Sequence, residues 1–108
     1  MKKRYRVVFT DRAERDFERS YQWGQREWGD AAARRWYREI KTQILLSLST
    51  FPLGHPVAPE SEEHGSEIRH MIITRYRVLF EVEGKTVRVM HLRGSYVDPE
   101  HRDLGVDE

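Results

Sequence analysis

The 108-residue chain contains no cysteine. Disulfide bonds, thiolate metal sites and cysteine nucleophiles are therefore excluded, and the absence fits a reducing cytoplasm, where we expect the protein to reside. The chain also lacks an apolar run long enough to span a bilayer, so we expect no membrane association. Although 34% of its residues are charged, the formal net charge is only +1. Attraction to nucleic acid would therefore require local clustering of basic residues.

Several motifs with established chemistry are missing as well. The sequence has no glycine-rich phosphate loop, no paired-histidine helix of the zinc-protease type and no G-x-S-x-G nucleophile elbow. Its histidines are scattered without ligand-like spacing, so we expect neither a metal site nor a cofactor. They are His55, His64, His70, His91 and His101.

Residues 75–93 have the pattern of a β-hairpin. Two alternating runs flank Gly84-Lys85, and glycine at the first central position suits a type II′ turn. Regular pairing outward from Glu83 and Thr86 fixes which residues share a face of the sheet. The predicted pairs are Val82 with Val87, Phe80 with Val89, Val78 with His91, Tyr76 with Arg93, Glu81 with Arg88, Leu79 with Met90, and Arg77 with Leu92.

Two amphipathic helices are predicted after a short strand at residues 5–9. Asp11 has the capping-box spacing to Glu14, and an apolar stripe follows at helical intervals. Gly29-Asp30 should end the first helix and cap the second, which would end near residue 50. Tryptophans within a helical stripe are more often core than binding residues, so we place Trp28 and Trp36 in the core.

The remaining chain predicts a loop at residues 52–65, a strand at 67–73, and a tight turn into the hairpin. The element order is then β-α-α-β-β-β, which indicates an α+β fold with an antiparallel sheet and a helical hairpin on one face. We expect one domain over residues 1–96 and a polar C-terminal tail over 97–108. The residues expected under the helices are Val78, Phe80, Val82, Val87 and Val89.

Arginine is the only chemical feature concentrated on the predicted sheet. Guanidinium groups bind phosphates or carboxylates in bidentate fashion, and a neighbouring histidine or tyrosine can transfer protons during RNA cleavage. Arg88 can equally be a surface ion pair with Glu81, which would contribute little. The candidates are Arg69, Arg75, Arg77, Arg88 and Arg93, with His70, His91 and Tyr96.

The order and spacing of several segments resemble the RelE/ParE superfamily of toxins from bacterial type II toxin–antitoxin systems, which includes plasmid stabilisation proteins. The matching segments are YRVVFTDRAERDF at residues 5–17, EIRHM at 67–71, RYRVLFEV at 75–82 and VRVMHLR at 87–93. The resemblance implies a cytoplasmic toxin that arrests growth and forms a hetero-oligomer with a cognate antitoxin.

Two branches of the superfamily imply different activities. In the ribosome-dependent mRNA endoribonuclease branch, the catalytic set would be Arg69, Arg77, His91, Arg93 and Tyr96, but the usual lysine positions fall on Ile68 and His70. In the ParE-like branch, which poisons DNA gyrase, an arginine precedes the hairpin and an H-x-R pattern ends the last strand. Arg69, His91 and Arg93 fit that pattern, so the ParE-like branch is preferred. A non-toxic relative that only binds a partner is the third reading.

The antitoxin could bind either the outer surface of the helices or the second face of the predicted hairpin. If its pairing is regular, apolar side chains lie there among arginines, an arrangement typical of a surface that a partner covers. The partner-binding candidates are Leu79, Met90 and Arg88.

Overall fold

The computed structural model describes residues 4–94, which form a four-stranded sheet and two long helices. Tyr96 and the predicted tail lie outside the described residues. The elements are β1 (Arg6–Phe9), α1 (Asp11–Trp28), α2 (Asp30–Thr50), a 3-10 helix (Pro52–Gly54), α3 (Ser61–His64), β2 (Arg69–Ile73), β3 (Tyr76–Glu83) and β4 (Thr86–Gly94). The predicted β-α-α-β-β-β order and α+β class are confirmed. None of the helices within residues 4–94 combines the length and the hydropathy of a membrane-spanning segment.

The strands lie in the order β1-β4-β3-β2. The meander of β2, β3 and β4 is antiparallel, as predicted. β1, however, pairs with β4 in parallel, with Val7 opposite Val87. The sheet is therefore mixed rather than wholly antiparallel, because the helical hairpin returns the chain to its starting end before the meander begins.

The helical hairpin turns on a single residue. Gly29 adopts φ 97°, ends α1 by donating its backbone N–H to the Gln25 carbonyl, and accepts from the Ala33 amide as α2 begins. The predicted caps were displaced by one residue: Thr10, not Asp11, caps α1 by accepting from the Ala13 amide at 3.1 Å, and Gly29, not Asp30, precedes α2. The Thr10 hydroxyl thus makes the capping hydrogen bond that was predicted for the Asp11 carboxylate.

The core lies between the helical hairpin and one face of the sheet. Phe17 from α1 and Ile44 from α2 pack there against Val78, Phe80, Val87 and Val89, all fully buried. The core assignment of Trp28 was wrong, because its side chain is 43% exposed. Trp28 is the last residue of α1, where it contacts Trp36 with ring centroids 6.3 Å apart. Trp36 is partly buried against the core.

The hairpin of β3 and β4 contains a bulge that the regular register did not include. Gly84 has φ 62°, and the four pairs nearest the turn, from Glu83–Thr86 to Phe80–Val89, are confirmed. Beyond them the register shifts by one residue. The four outer pairs, which were predicted to involve Met90, His91, Leu92 and Arg93, are therefore different from those predicted. The observed pairs are Leu79 with His91, Val78 with Leu92, Arg77 with Arg93, and Tyr76 with Gly94.

The segment between α2 and β2 is more ordered than the predicted loop. It contains the 3-10 helix and α3, and Val57 makes an isolated bridge to Arg69 at the edge of the sheet. The Ser61 hydroxyl accepts from the Ile68 amide at 2.7 Å and donates to the Ile68 carbonyl at 2.8 Å. Ala58 and Ile68 then form a second small core with Leu79 on the sheet face opposite the long helices. We call this the outer face.

Candidate functional site

The outer face brings together three residues in one row across the sheet. Arg77 of β3 lies opposite Ile72 of β2 on one side and opposite Arg93 of β4 on the other. Directly opposed residues of antiparallel strands point to the same face, so their side chains are neighbours. The bulge creates this arrangement. With a regular register, Arg77 would have faced Leu92, and Arg93 would have pointed toward the helices.

A carboxylate from the α2–β2 connection occupies the fork of the central arginine. Arg77 donates from Nη1 and Nη2 to the two carboxylate oxygens of Glu60, each at 2.9 Å. Arg93 adds a longer contact from Nη1 to Glu60 Oε2 at 3.4 Å. Chiefly because of the Arg77 hydrogen bonds, the pKa of Glu60 falls from 4.5 to about 2. Glu60 is thus an anion at neutral pH, bound as a phosphate or an external carboxylate would be.

His70 fixes the orientation of the same guanidinium. Arg77 donates from Nε to His70 Nδ1 at 3.1 Å, so Nδ1 accepts and the imidazole is neutral. Burial and then the charge of Arg77 lower the pKa of His70. The histidine therefore acts here as an acceptor that aims the fork of Arg77 at Glu60.

Arg69, which was also predicted to belong to the site, does not join this cluster. Arg69 pairs with Phe80 in register and binds the His55 carbonyl and the Glu67 carboxylate at 2.5 and 2.6 Å. It therefore anchors the connection rather than joining Arg77. Tyr96 lies outside the described residues. Among residues 4–94, the set proposed for RNA cleavage thus places Arg77 and Arg93 together, while Arg69 and His91 make separate contacts.

His91 lies beside a buried carboxylate on α1. Its Nδ1 is 3.6 Å from Asp16 Oδ2 and, within residues 4–94, has no hydrogen-bond partner. Burial first, then the charges of Arg93 and Arg12, lower the pKa of His91. Asp16 is only 6% exposed, and its Oδ2 accepts from the Leu92 backbone amide at 3.1 Å. Helix α1 is thereby joined to the strand segment that carries the H-x-R pattern.

The proposed antitoxin residues are placed differently from the prediction. Leu79 is only 2% exposed and packs under Ala58 and Ile68, so it is not available to a partner. Met90 is partly buried against the same small core. Arg88 forms ion pairs with Glu81 and Glu83. The apolar surface expected at Leu79 is therefore covered by the chain's own 52–68 segment, while Ile72, in the same sheet, is 63% exposed.

Sequence reasoning missed two acidic residues of this region. Asp16 had a detectable signal, since it interrupts the apolar stripe of Ala13 and Phe17 at a position facing the core. Glu60 had none, because the segment around it shows no periodicity and its partner Arg77 is 17 residues away. Both acids accept hydrogen bonds from basic or backbone groups on the sheet.

The low pKa of Glu60 predicts acid-sensitive stability. In the unfolded chain this carboxyl should titrate near its ordinary value, so its stabilisation is complete above about pH 4.5 and is lost as the pH falls toward 2. We expect Glu60→Gln to lower the free energy of unfolding by about 1–2 kcal/mol at pH 7, allowing for solvent screening, and by much less near pH 2. Urea denaturation at pH 7, 4 and 2.5 measures both effects.

Glu63→Gln is the matched control, because Glu63 lies on α3, the helix that directly follows Glu60, and is exposed. It should leave the unfolding free energy nearly unchanged. An equal pH dependence in the native chain and in Glu60→Gln would show that the ion pair does not contribute.

The chain is similar to proteins of one toxin family. A family model described as "ParE toxin of type II toxin-antitoxin system, parDE" matches residues 7–95. Among solved structures, the chain is similar to one described as "Chromosomal ParDE TA system from P. aeruginosa", with a TM-score of 0.71 and 18% identity over 85% of this chain and 97% of that chain. At that identity the similarity shows a shared fold. No curated protein sequence matches the chain.

Proposed function

Because the chain belongs to the ParE toxin family of type II toxin–antitoxin systems, we propose that it arrests growth by binding a protein target such as DNA gyrase and that a cognate antitoxin neutralises it. It would act in the cytoplasm as a free toxin and be held there in a hetero-oligomer with its antitoxin. The proposal joins the family match to the charge arrangement of the outer face.

The observation that supports protein binding over RNA cleavage is the pairing of Arg77 and Arg93 with Glu60. Arg88 on the same sheet is likewise paired with glutamates. A ribosome-dependent ribonuclease must make many phosphate contacts, each of which requires an unpaired cation that can replace the counterions of the nucleic acid. Arginines already neutralised by internal carboxylates favour a surface that meets another protein.

One observation favours endoribonuclease activity as the second candidate. The bulge places Arg77 directly opposite Arg93, with His70 beside them, so two guanidiniums and an imidazole share one face. Two arginines could hold the scissile phosphate while a histidine moves a proton. His70 would have to give up its hydrogen bond from Arg77 to take that role, and Glu60 would have to leave.

Induced expression in a bacterial host separates these functions. We expect growth arrest with relaxed plasmid topology on chloroquine gels, and inhibition of supercoiling when purified protein is added to gyrase. Primer extension on messages from the same cells should show no new cleavage sites. Co-expression of the protein encoded by the adjacent reading frame should restore growth.

Two outcomes would contradict the gyrase proposal. Unchanged topology together with cleaved messages would indicate the endoribonuclease. Normal growth at an expression level confirmed by immunoblot would indicate a fold relative that only binds a partner. Cells carrying the empty vector provide the baseline for all three measurements.

A further inference from the structure

The arginine pair on the outer face is a preformed anion site with a removable occupant. His70 Nδ1 lies 3.1 Å from Arg77 Nε and 2.9 Å from Nη2, while Nη1 and Nη2 each donate to a Glu60 oxygen at 2.9 Å. The contact with His70 does not involve Glu60, so the fork keeps its orientation if the carboxylate leaves. Arg93 is about half exposed, and its guanidinium makes a single ion pair within residues 4–94, the 3.4 Å contact with Glu60. The site thus has binding capacity beyond what Glu60 uses.

We propose that Arg77 and Arg93 form a carboxylate-binding site of the toxin–antitoxin interface, which Glu60 fills in the free chain and an acidic side chain of the antitoxin takes over in the complex. The identity of the partner rests on the proposed function above. The exchange itself rests on the geometry of Glu60, His70, Arg77 and Arg93. Glu60 in this view is an internal competitor that lowers the affinity for the incoming acid.

The row containing these arginines also indicates what the partner segment carries. Ile72 lies next to Arg77 on the adjacent strand and exposes 63% of its side chain. A segment crossing the sheet along Ile72, Arg77 and Arg93 would meet one apolar side chain and then two cations. An apolar residue of the partner would be buried against Ile72, and an acidic residue would pair with the two arginines.

The surroundings favour a carboxylate on a protein over a nucleic-acid phosphate. Glu81 and Glu83 lie at the other end of β3 beside Arg88, and Glu67 lies at the edge of the sheet beside Arg69. A polyphosphate backbone extending from the arginine pair in that direction would meet like charge. A single acidic side chain presented by a mostly apolar segment avoids this repulsion.

The test compares two labelled probes of equal formal charge by fluorescence anisotropy. One is a short peptide that alternates isoleucine and glutamate, and the other is a single-stranded oligoribonucleotide. If Glu60 occupies the site most of the time, only the remaining fraction of molecules can bind the peptide. Removing Glu60 should therefore raise the apparent affinity for the peptide by the inverse of that fraction. We therefore expect Glu60→Gln to bind the peptide about fivefold more tightly than the native chain, if the internal pair has the strength typical of partly exposed ion pairs.

Glu63→Gln should bind the peptide as the native chain does, and adding Arg77→Gln to Glu60→Gln should abolish the gain. Arg93→Gln is an independent test, because the residue is about half exposed. We expect it to lose several-fold in peptide affinity while its thermal unfolding is unchanged. Equal peptide affinity in Glu60→Gln and the native chain, or a gain for RNA alone, would overturn the proposal. Toxicity without a peptide gain overturns the site only, whereas a peptide gain without toxicity overturns the proposed function only.

Discussion

Replacement of Phe17 by alanine should remove about 3–5 kcal/mol of stability, the range found when a fully buried aromatic side chain is truncated. Phe17 is completely buried and is the ring at which three elements meet. Its edge contacts join it to Phe9 of β1 at 5.6 Å and to Tyr37 of α2 at 6.3 Å between ring centroids. Lys41 Nζ lies 5.1 Å from the same ring. Because a domain of this size has only about 5–15 kcal/mol in total, the variant should be close to unfolding at 37 °C.

Phe51→Ala is the matched control for that measurement, since the same side chain is 69% exposed there. We expect it to change the unfolding free energy by less than about 0.5 kcal/mol. Urea denaturation followed by tryptophan fluorescence at pH 7 gives both values. If the two alanine variants lose similar stability, Phe17 is not the central packing residue that its burial indicates.

The inner half of the hairpin was predictable because its determinants are local. Gly84 supplies the positive φ of the turn, and the alternation of apolar residues from Val82 to Phe80 and from Val87 to Val89 determines which face enters the core. The pairs of the outer half were predicted wrongly because the register was counted outward from the turn. One extra residue in a bulge shifts every pair beyond it. One signal was present: Val87 and Val89 are two apart, but the next core residue of β4, Leu92, is three further on.

The composition of the site depended on tertiary contacts that periodicity does not encode. The bulge changed the partner of Arg77 from Leu92 to Arg93, which places the two guanidinium groups side by side on the outer face. Glu60 reaches that site only because Ala58 and Ile68 dock on Leu79 and hold the connection across the outer face. The same docking buried the leucine that was expected to bind the antitoxin. The sequence thus predicted that arginines form the site, but it did not predict which residues those arginines contact.

Substitution of Asp16 is expected to have the second-largest effect, because this one carboxylate joins α1 to β4. Its Oδ2 accepts from the buried Leu92 amide at 3.1 Å, and its Oδ1 accepts from Arg12 at 3.2 Å and Arg19 at 2.9 Å. Asp16→Ala leaves the Leu92 N–H without that acceptor and loses both arginine contacts. We expect a loss of about 2–4 kcal/mol, most of it from the unsatisfied buried amide.

Asp16→Asn distinguishes the contribution of the Leu92 hydrogen bond from that of the ion pairs. An asparagine oxygen can still accept from Leu92 while the ion pairs are lost, so about 1 kcal/mol should be lost instead. The charge of Asp16 also raises the pKa of the neighbouring His91 against the larger lowering by burial, so both variants should lower that pKa further in an NMR titration. Glu18→Ala, at an exposed position of the same helix, should change neither quantity. If Asp16→Ala matches Glu18→Ala in stability and leaves His91 unshifted, then Asp16 does not hold the strand that presents His91 and Arg93.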